Sequence, residues 1–280
     1  MASFDLSLRL DKTHVLVTGG AGHIGSVTVA AFLAAGAYVT SLDIGAPKPS
    51  EHPRLLNVQA DISSEQSMET AWKQATARFG VVECCVALAS LDLSVLEHHA
   101  TLADLAVEQW RRTFEVNAQG TFLTARAWLR GVRDAVRHGN GQDLKNVGLV
   151  MVGSESGHFG ERGNPDYAST KAAVQYGLLP SLKADAPRVY ERARVNVVSP
   201  GPVNTPRFPV ECAENPGQLY ADAQATVALR KPVEMSSVAK GIVFLASDAW
   251  SAHVHGQILN VDSGKVGKLM WTKEECDPQR

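Results

Sequence analysis

The sequence predicts an α/β protein built on a doubly wound parallel sheet, an αβα sandwich of three layers folded as a single domain. Three observations carry this expectation. Apolar, β-branched runs alternate with longer helix-like stretches; a glycine-rich turn joins the first such run to the first helix; and no linker, internal repeat or low-complexity tract breaks the alternation. Parallel neighbours need crossover connections, so β-α-β-α order is the imprint that a doubly wound sheet leaves in a chain. A chain of 280 residues suits one such domain, or at most two small ones.

The elements follow in order. His14–Thr18 reads as the first strand and runs through Gly19–Gly25 into an Ala-rich helical stretch ending near Gly36. Glycine there can adopt the left-handed conformation that closes a helix. Tyr38–Leu42 is a second strand that ends on Asp43, and Leu56–Gln59 a short third that closes on Asp61. Ser63-Ser64-Glu65-Gln66 opens a helix through Phe79, because a serine hydroxyl can accept from the unpaired N–H groups of a first turn. Val81–Leu88 is apolar except near Glu83, as suits a strand covered on both faces. Glu108–Arg133 is a long helix, Val147–Gly153 a fifth strand, Asp166–Leu182 a helix and Val195–Ser199 a sixth strand. Ser236–Ala246 is a short helix and Gln257–Val261 a last strand. Outside this frame lie a polar insertion at His138–Asn146, a segment near Thr205–Leu229 expected to be mobile, and a tail after Gly264.

Composition narrows the function classes. The 27 Lys and Arg against 29 Asp and Glu give 27 − 29 = −2, which argues against nucleic acid or an anionic membrane surface as partner. Hydrophobic residues at 45% fit a globular chain, and a chain of this length buries roughly three quarters of its unfolded surface without disulfide staples. Cys84 and Cys85 adjoin in an apolar run while Cys212 and Cys276 stand alone, so no metal-binding spacing arises and the thiols read as core or isolated residues. The N-terminus, MASFDLSLRLDKTH, carries acids and lacks an apolar signal core, and the longest apolar stretch, Val27–Val39, is too short to span a bilayer. The expectation is a cytoplasmic protein.

Thr18-Gly19-Gly20-Ala21-Gly22-His23-Ile24-Gly25 lies between a strand and a helix. Glycines there permit a tight turn and let backbone N–H groups approach a pyrophosphate at the helix N-terminus. Asp43 ends the next strand, 18 residues past Gly25. A carboxylate there can accept from the ribose diol of an adenosine and repels a 2′-phosphate, which favours NAD over NADP. No Lys or Arg lies within Gly19–Gly25 or beside Asp43 to reverse that preference.

Tyr167-Ala168-Ser169-Thr170-Lys171 puts a phenol and an ammonium at i and i+4, about 6 Å apart on one helical face. An adjacent ammonium favours the phenolate and is expected to lower the Tyr167 pKa toward neutrality, where it can serve as general acid or base. Ser154 lies thirteen residues upstream, just past the fifth strand; Asn117 lies mid-helix in Phe114-Glu115-Val116-Asn117-Ala118-Gln119-Gly120; Ser199-Pro200-Gly201-Pro202-Val203-Asn204-Thr205 follows the sixth strand.

Taken together, these segments resemble the short-chain dehydrogenase/reductase family, in its single-domain branch, over about Lys12 to Gly264. The resemblance implies a Rossmann-type fold and an oxidoreductase passing hydride between NAD(H) and a secondary alcohol or ketone. It implies that Tyr167 exchanges a proton with the substrate oxygen, Ser154 hydrogen-bonds that oxygen, Lys171 holds the nicotinamide ribose, and Asn117 holds a water linking Lys171 to solvent. Cofactor contacts are implied for Gly19, Ala21, Gly22, His23, Ile24, Gly25 and Asp43, for Asp61 and Ile62 at the adenine, for Ala89, and for Pro200, Val203 and Thr205 at the nicotinamide end. A homodimer or homotetramer is implied as well, with Trp110, Phe114 and Phe122 on a helix that many relatives use for dimer contact, although their spacing equally fits plain core packing.

The chain departs from that family at several points. His23 stands where the branch has glycine, and the loop read as Thr-Gly-x-x-Gly-x-x-Gly resembles the sugar-nucleotide-modifying branch. Ala87-Leu88-Ala89-Ser90 replaces an Asn-Asn-Ala-Gly segment, which puts the local packing in doubt. Glu155, His158, Glu161 and Arg162 populate the loop before Tyr167, and either line a polar substrate site or form a solvated loop. His98 and His99 lack the further partners a metal site needs. Two other readings stand beside the dehydrogenase: a sugar-nucleotide epimerase or dehydratase, and a non-catalytic NAD-binding regulator.

Overall fold

The computed structural model describes residues 5–47 and 50–277. Residues 1–4 of the acid-bearing N-terminus and 278–280 of the tail lie outside the described residues. The central sheet is parallel throughout, in the order β3-β2-β1-β4-β5-β6-β9: β1 is His14–Thr18, β2 Tyr38–Asp43, β3 Leu55–Gln59, β4 Cys84–Ala87, β5 Gly148–Val152, β6 Arg194–Pro200 and β9 Ile258–Val261. The strands inserted before the last, β7 (Val203–Asn204) and β8 (Val233–Glu234), pair with each other outside the sheet. All of β1, β4, β5 and β6 is buried, which is why those runs carry apolar residues without alternation.

Helices cover both faces. The helix α1 (His23–Ala34) packs beside α10 (Met235–Ala246), with Phe32, Val238 and Ile242 in the core of that face. On the other face α2 (Glu65–Phe79) brings Met68 and Trp72 against Trp128, Leu149 and Met151. Ser64 caps α2, its hydroxyl accepting from the Ser67 N–H at 3.3 Å. No helix of the described residues is long and apolar enough to cross a membrane.

Two long helices contain wide-turn stretches. The first runs as α3 (Val107–Thr113), a π stretch at Phe114–Gln119 and α4 (Gly120–Arg137). The second runs as α6 (Pro165–Ala172), a π stretch at Ala173–Leu178 and α7 (Leu179–Val189), preceded by the single turn α5 (Ser156–Phe159). Such insertions shift the residues after them around the helix and recur at functional sites. Periodicity alone does not disclose them, so the expected Glu108–Arg133 and Asp166–Leu182 were read as uniform helices.

The remaining segments take definite form. The fourth strand, Cys84–Ala87, is shorter than Val81–Leu88, and just before it the Glu83 carboxylate accepts from the N–H groups of Lys145 and Asn146. Those bonds also anchor the His138–Asn146 insertion, whose Leu144 is buried and whose Asn146 amide donates to the Arg9 carbonyl and to Thr13 Oγ1. The Thr205–Leu229 segment carries two short helices, α8 (Phe208–Glu214) and α9 (Gln218–Ala223). The tail folds back on that segment: Met270 N–H donates to the Ala225 carbonyl, and the Tyr220 hydroxyl to that of Trp271.

Arg194 pins the end of α10 to the following turn, α11 (Asp248–Ser251). Its buried guanidinium donates to the carbonyls of Leu245, Ala246 and Ser251 and to Ser251 Oγ, and pairs with Asp248 at 3.4 Å. Arg194→Met leaves those buried acceptors unpaired and is expected to cost about 3 kcal/mol or more, read as a lowered urea midpoint with unchanged slope. An unchanged midpoint would show that the tie is replaced by water.

Candidate active site

The chain leaves β1 in one direction across the sheet to β2 and β3, and leaves β4 in the other. The carboxyl ends of β1 and β4 therefore diverge, and in open α/β sheets ligands bind at such a switch point. A cleft of about 1410 Å³ opens there. Its walls bring together residues from Gly19 to Gly267, so a single domain supplies both ends of it.

The glycine turn forms one end. Gly19 has φ +69°, in the left-handed region, and a Cβ on Gly25 would fall 1.9 Å from the Gly19 carbonyl oxygen. Only glycines let α1 start this close to the end of β1. The first N–H groups of α1 have no carbonyl four residues back within the helix, and Gly22, His23, Ile24 and Gly25 all line the cleft. Asp43 lines it too, its carboxylate accepting from the N–H groups of Ala21 at 3.0 Å and Gly45 at 3.2 Å. Ala21 thus anchors Asp43 and is absent from the cleft wall.

Asp61 and Ile62 reach the same end. Asp61 accepts from the N–H and hydroxyl of Ser63; that hydroxyl first, then the N–H and the Arg112 charge, hold its carboxyl below the usual range against the opposing effect of burial. The paired asparagines missing after β4 have a substitute. The Thr18 hydroxyl accepts from the N–H groups of Leu88 and Ala89 and fixes the end of β4 against β1. These features fit a dinucleotide: first-turn N–H groups for its diphosphate, a carboxylate at the end of β2 for a ribose, and an apolar wall at Ile62 and Ala89.

At the other end β5 delivers Ser154, and α6 delivers Tyr167 and Lys171. All three are nearly fully buried yet line the cleft. Ser154 Oγ accepts from the Ser156 N–H at 3.2 Å. The Lys171 ammonium donates to the Val152 carbonyl at 3.1 Å and lies 5.5 Å from the centre of the Tyr167 ring. Burial lowers the Lys171 pKa to about 8, with Asp92 pulling it back up.

One expectation is corrected at this point. The Tyr167 pKa is not lowered toward neutrality; burial pushes it above the ordinary tyrosine value, offset in part by the Ser154 hydroxyl. Spacing put Lys171 on the right face, but burial penalises the phenolate more than the nearby ammonium rewards it.

Asn117 sits in the first π stretch, its amide committed to Leu91. Oδ1 accepts from the Leu91 N–H at 2.8 Å; Nδ2 donates to the Leu91 carbonyl at 2.9 Å and to Thr170 Oγ1 at 3.3 Å. Both amide hydrogens are thus spent on bracing the segment after β4 against α6. Pro200, Val203 and Thr205 line the cleft beyond β6, as do His98, Glu155, Glu161 and Arg162. The His99 ring contacts Gln109 instead.

Sequence reading passed over Gln175. It lies in the second π stretch, fully buried, and its Oε1 accepts from the Ser154 N–H at 2.9 Å while Nε2 contacts His158 Nε2 at 3.1 Å. The available signal was position, four residues after Lys171 and eight after Tyr167. Lys265 was also passed over; it pairs with Glu155 at 3.1 Å.

This is the fold and cleft of an oxidoreductase that works on a bound dinucleotide. A family model described as "Enoyl-(Acyl carrier protein) reductase" matches residues 19–265, and the chain belongs to the short-chain dehydrogenase/reductase family, whose members use a nicotinamide cofactor. Cis-4-hydroxycyclohexanecarboxylate dehydrogenase of Sinomonas cyclohexanicum is 33% identical over 263 residues, covering 89% of this chain and 94% of its own. Acetoacetyl-CoA reductase of Synechocystis sp. is 28% identical, covering 92% and 98%. The crystal structure of gox2181 has a TM-score of 0.76 at 26% identity, covering 92% of this chain and 96% of that one.

Burial of Lys171 has a pH signature. A base whose folded pKa is lowered carries a folding penalty that is complete below the folded pKa and disappears as pH rises through the unfolded value. Between about 8 and 10.5, wild type is therefore expected to gain about 3 kcal/mol on Lys171→Met, read as the difference between their denaturation free energies. A constant difference across that range would mean that Lys171 is well solvated and keeps its ordinary pKa.

Proposed function

We propose that the protein is an NAD-dependent dehydrogenase or reductase interconverting a secondary alcohol and a ketone. The observation that carries this reading is the convergence of Ser154, Tyr167 and Lys171 on one buried wall of a cleft whose other end is an open helix N-terminus beside Asp43. The relative that is a cis-4-hydroxycyclohexanecarboxylate dehydrogenase supports a small ring or chain bearing a secondary hydroxyl.

When bound, the nicotinamide supplies hydride donation or acceptance at its C4, the part of the chemistry that no side chain provides. The protein's own residues hold the substrate and move the proton. Tyr167, kept as a neutral phenol by burial, donates its proton to the carbonyl oxygen in reduction and recovers one from the hydroxyl in oxidation. Ser154 Oγ, oriented by the Ser156 N–H and by the Gln175 bond to its own backbone, donates to the same oxygen. Lys171, near its titration point, steadies the phenolate as it forms and would hold a ribose hydroxyl of the cofactor. Asn117 braces the Leu91 segment that closes this wall, and a bound water there would connect Lys171 with solvent. Pro200, Val203 and Thr205, which line the cleft beyond β6, would face the nicotinamide end, and Ala89, Asp61 and Ile62 the adenosine end. The site is read as cytoplasmic and as one of two or four in a homo-oligomer.

Reduction of NAD in the presence of secondary alcohols, followed at the absorbance of the reduced nicotinamide, tests the activity. Tyr167→Phe is expected to lose about a thousandfold or more in kcat with NAD affinity within a fewfold of wild type. Full activity of the phenylalanine variant would remove Tyr167 from the mechanism. Calorimetry is expected to give NAD at least about tenfold tighter than NADP, because Asp43 repels a 2′-phosphate, with the preference reduced in Asp43→Ser. Equal or tighter NADP binding would refute the role of Asp43.

A further inference from the structure

The cleft continues past Tyr167 to a polar end that the hydride transfer does not use. Glu155 follows Ser154, and its N–H donates to the Pro200 carbonyl at 2.9 Å, so one turn aims both side chains. Glu155 Oε1 accepts from the Lys265 ammonium at 3.1 Å, and the two side chains are only 15% and 14% exposed. Glu155 Oε2 is buried without a partner. So is the hydroxyl of Thr226, which lines the same cleft. Buried polar atoms left unpaired cost about 1–3 kcal/mol each, and two on one cleft wall mark a seat for a ligand's polar group.

The tail builds this seat. Lys265 bridges to Val227, and the Val266 N–H donates to the Thr226 carbonyl at 3.0 Å. Trp271 Nε1 donates to the Val227 carbonyl at 3.2 Å while Arg230 stacks 4.7 Å over the Trp271 ring. Carboxyls crowd this end of the cleft, with His98 and Arg162 also on its wall. Glu161 and Asp222 also line the cleft, and burial raises both pKa values, helped by the charge of Asp222 at Glu161 and of Glu211 at Asp222, with Lys265 and His98 pulling each down. One ammonium is thus shared by three carboxyls, of which Glu155 is raised by burial to about 7.

We propose that Glu155 and Thr226, steadied by Lys265, form a subsite for a second hydroxyl of an uncharged hydroxylated substrate, and that this end of the cleft rejects carboxylates. The proposal rests on the oxidoreductase reading only for the place of the reacting oxygen, beside Ser154 and Tyr167. It sets this chain apart from the relative whose named substrate is a ring carboxylate.

The test is calorimetric titration of the NAD-loaded protein with three probes: cyclohexane-1,4-diol, cyclohexanol and cis-4-hydroxycyclohexanecarboxylate. The diol is expected to bind at least tenfold more tightly than either of the others. Thr226→Val and Glu155→Leu should each erase most of that advantage. Glu155→Gln, which keeps the shape but frees Lys265 from its carboxylate partner, should strengthen binding of the ring carboxylate about tenfold. Equal binding of diol and cyclohexanol, undetectable diol binding, or tighter binding of the carboxylate to wild type would each overturn the proposal. Following the reduced nicotinamide in the same samples separates the two readings. A diol preference without turnover keeps the subsite and defeats the oxidoreductase reading; turnover of cyclohexanol without a diol preference does the reverse.

Discussion

The site depends on a lysine ammonium buried with no carboxylate in contact. Desolvating a cation is costly, and Lys171 is compensated by the Val152 carbonyl, by the face of Tyr167 and by the more distant charge of Asp92. That compensation exists because β5 ends where α6 crosses it and because the segment after β4 closes the wall. Asn117 ties that segment to Thr170, one residue before Lys171. Gln175 ties the Ser154 backbone to the same helix. Both ties come from π stretches, so two irregular turns in otherwise regular helices fix the chemistry. A helix of uniform pitch would turn these amides to other directions.

The two ends of the cleft are built on opposite principles. The dinucleotide end is backbone: glycines, first-turn N–H groups and a strand-end carboxylate, held by contacts so close that a Cβ on Gly25 would collide with Gly19. The other end is side chain: a hydroxyl, a phenol, an ammonium and, further out, an ion pair with one oxygen unsatisfied. Backbone recognition suits a ligand common to many enzymes. Side-chain recognition at the outer end is where one enzyme differs from its relatives.

The succession of strands and helices, the glycine turn and the nearness of Ser154, Tyr167 and Lys171 were legible in the sequence because each rests on local spacing. Strand runs are period-two or uniformly apolar, and the Tyr–Lys pair is an i, i+4 relation. What sequence reading missed depends on distance. The Glu83 carboxylate ahead of β4 holds the N–H groups of Lys145 and Asn146, more than sixty residues away. Thr18 substitutes for the absent asparagines across seventy residues. The phenol was expected to be acidified because spacing reports a neighbouring charge, whereas burial, which dominates, is a property of the whole fold. Lys265 had no signal at all, since its partner, Glu155, lies 110 residues earlier.

The central claim is that one ligand bridges both ends of this cleft. A crystal structure of the protein with NAD tests it most directly. The account predicts a diphosphate on the N–H groups that open α1, an adenosine ribose on Asp43, and a nicotinamide ribose within hydrogen-bond reach of Lys171 and Tyr167. A dinucleotide bound elsewhere, or one whose nicotinamide half points away from Tyr167, would contradict it.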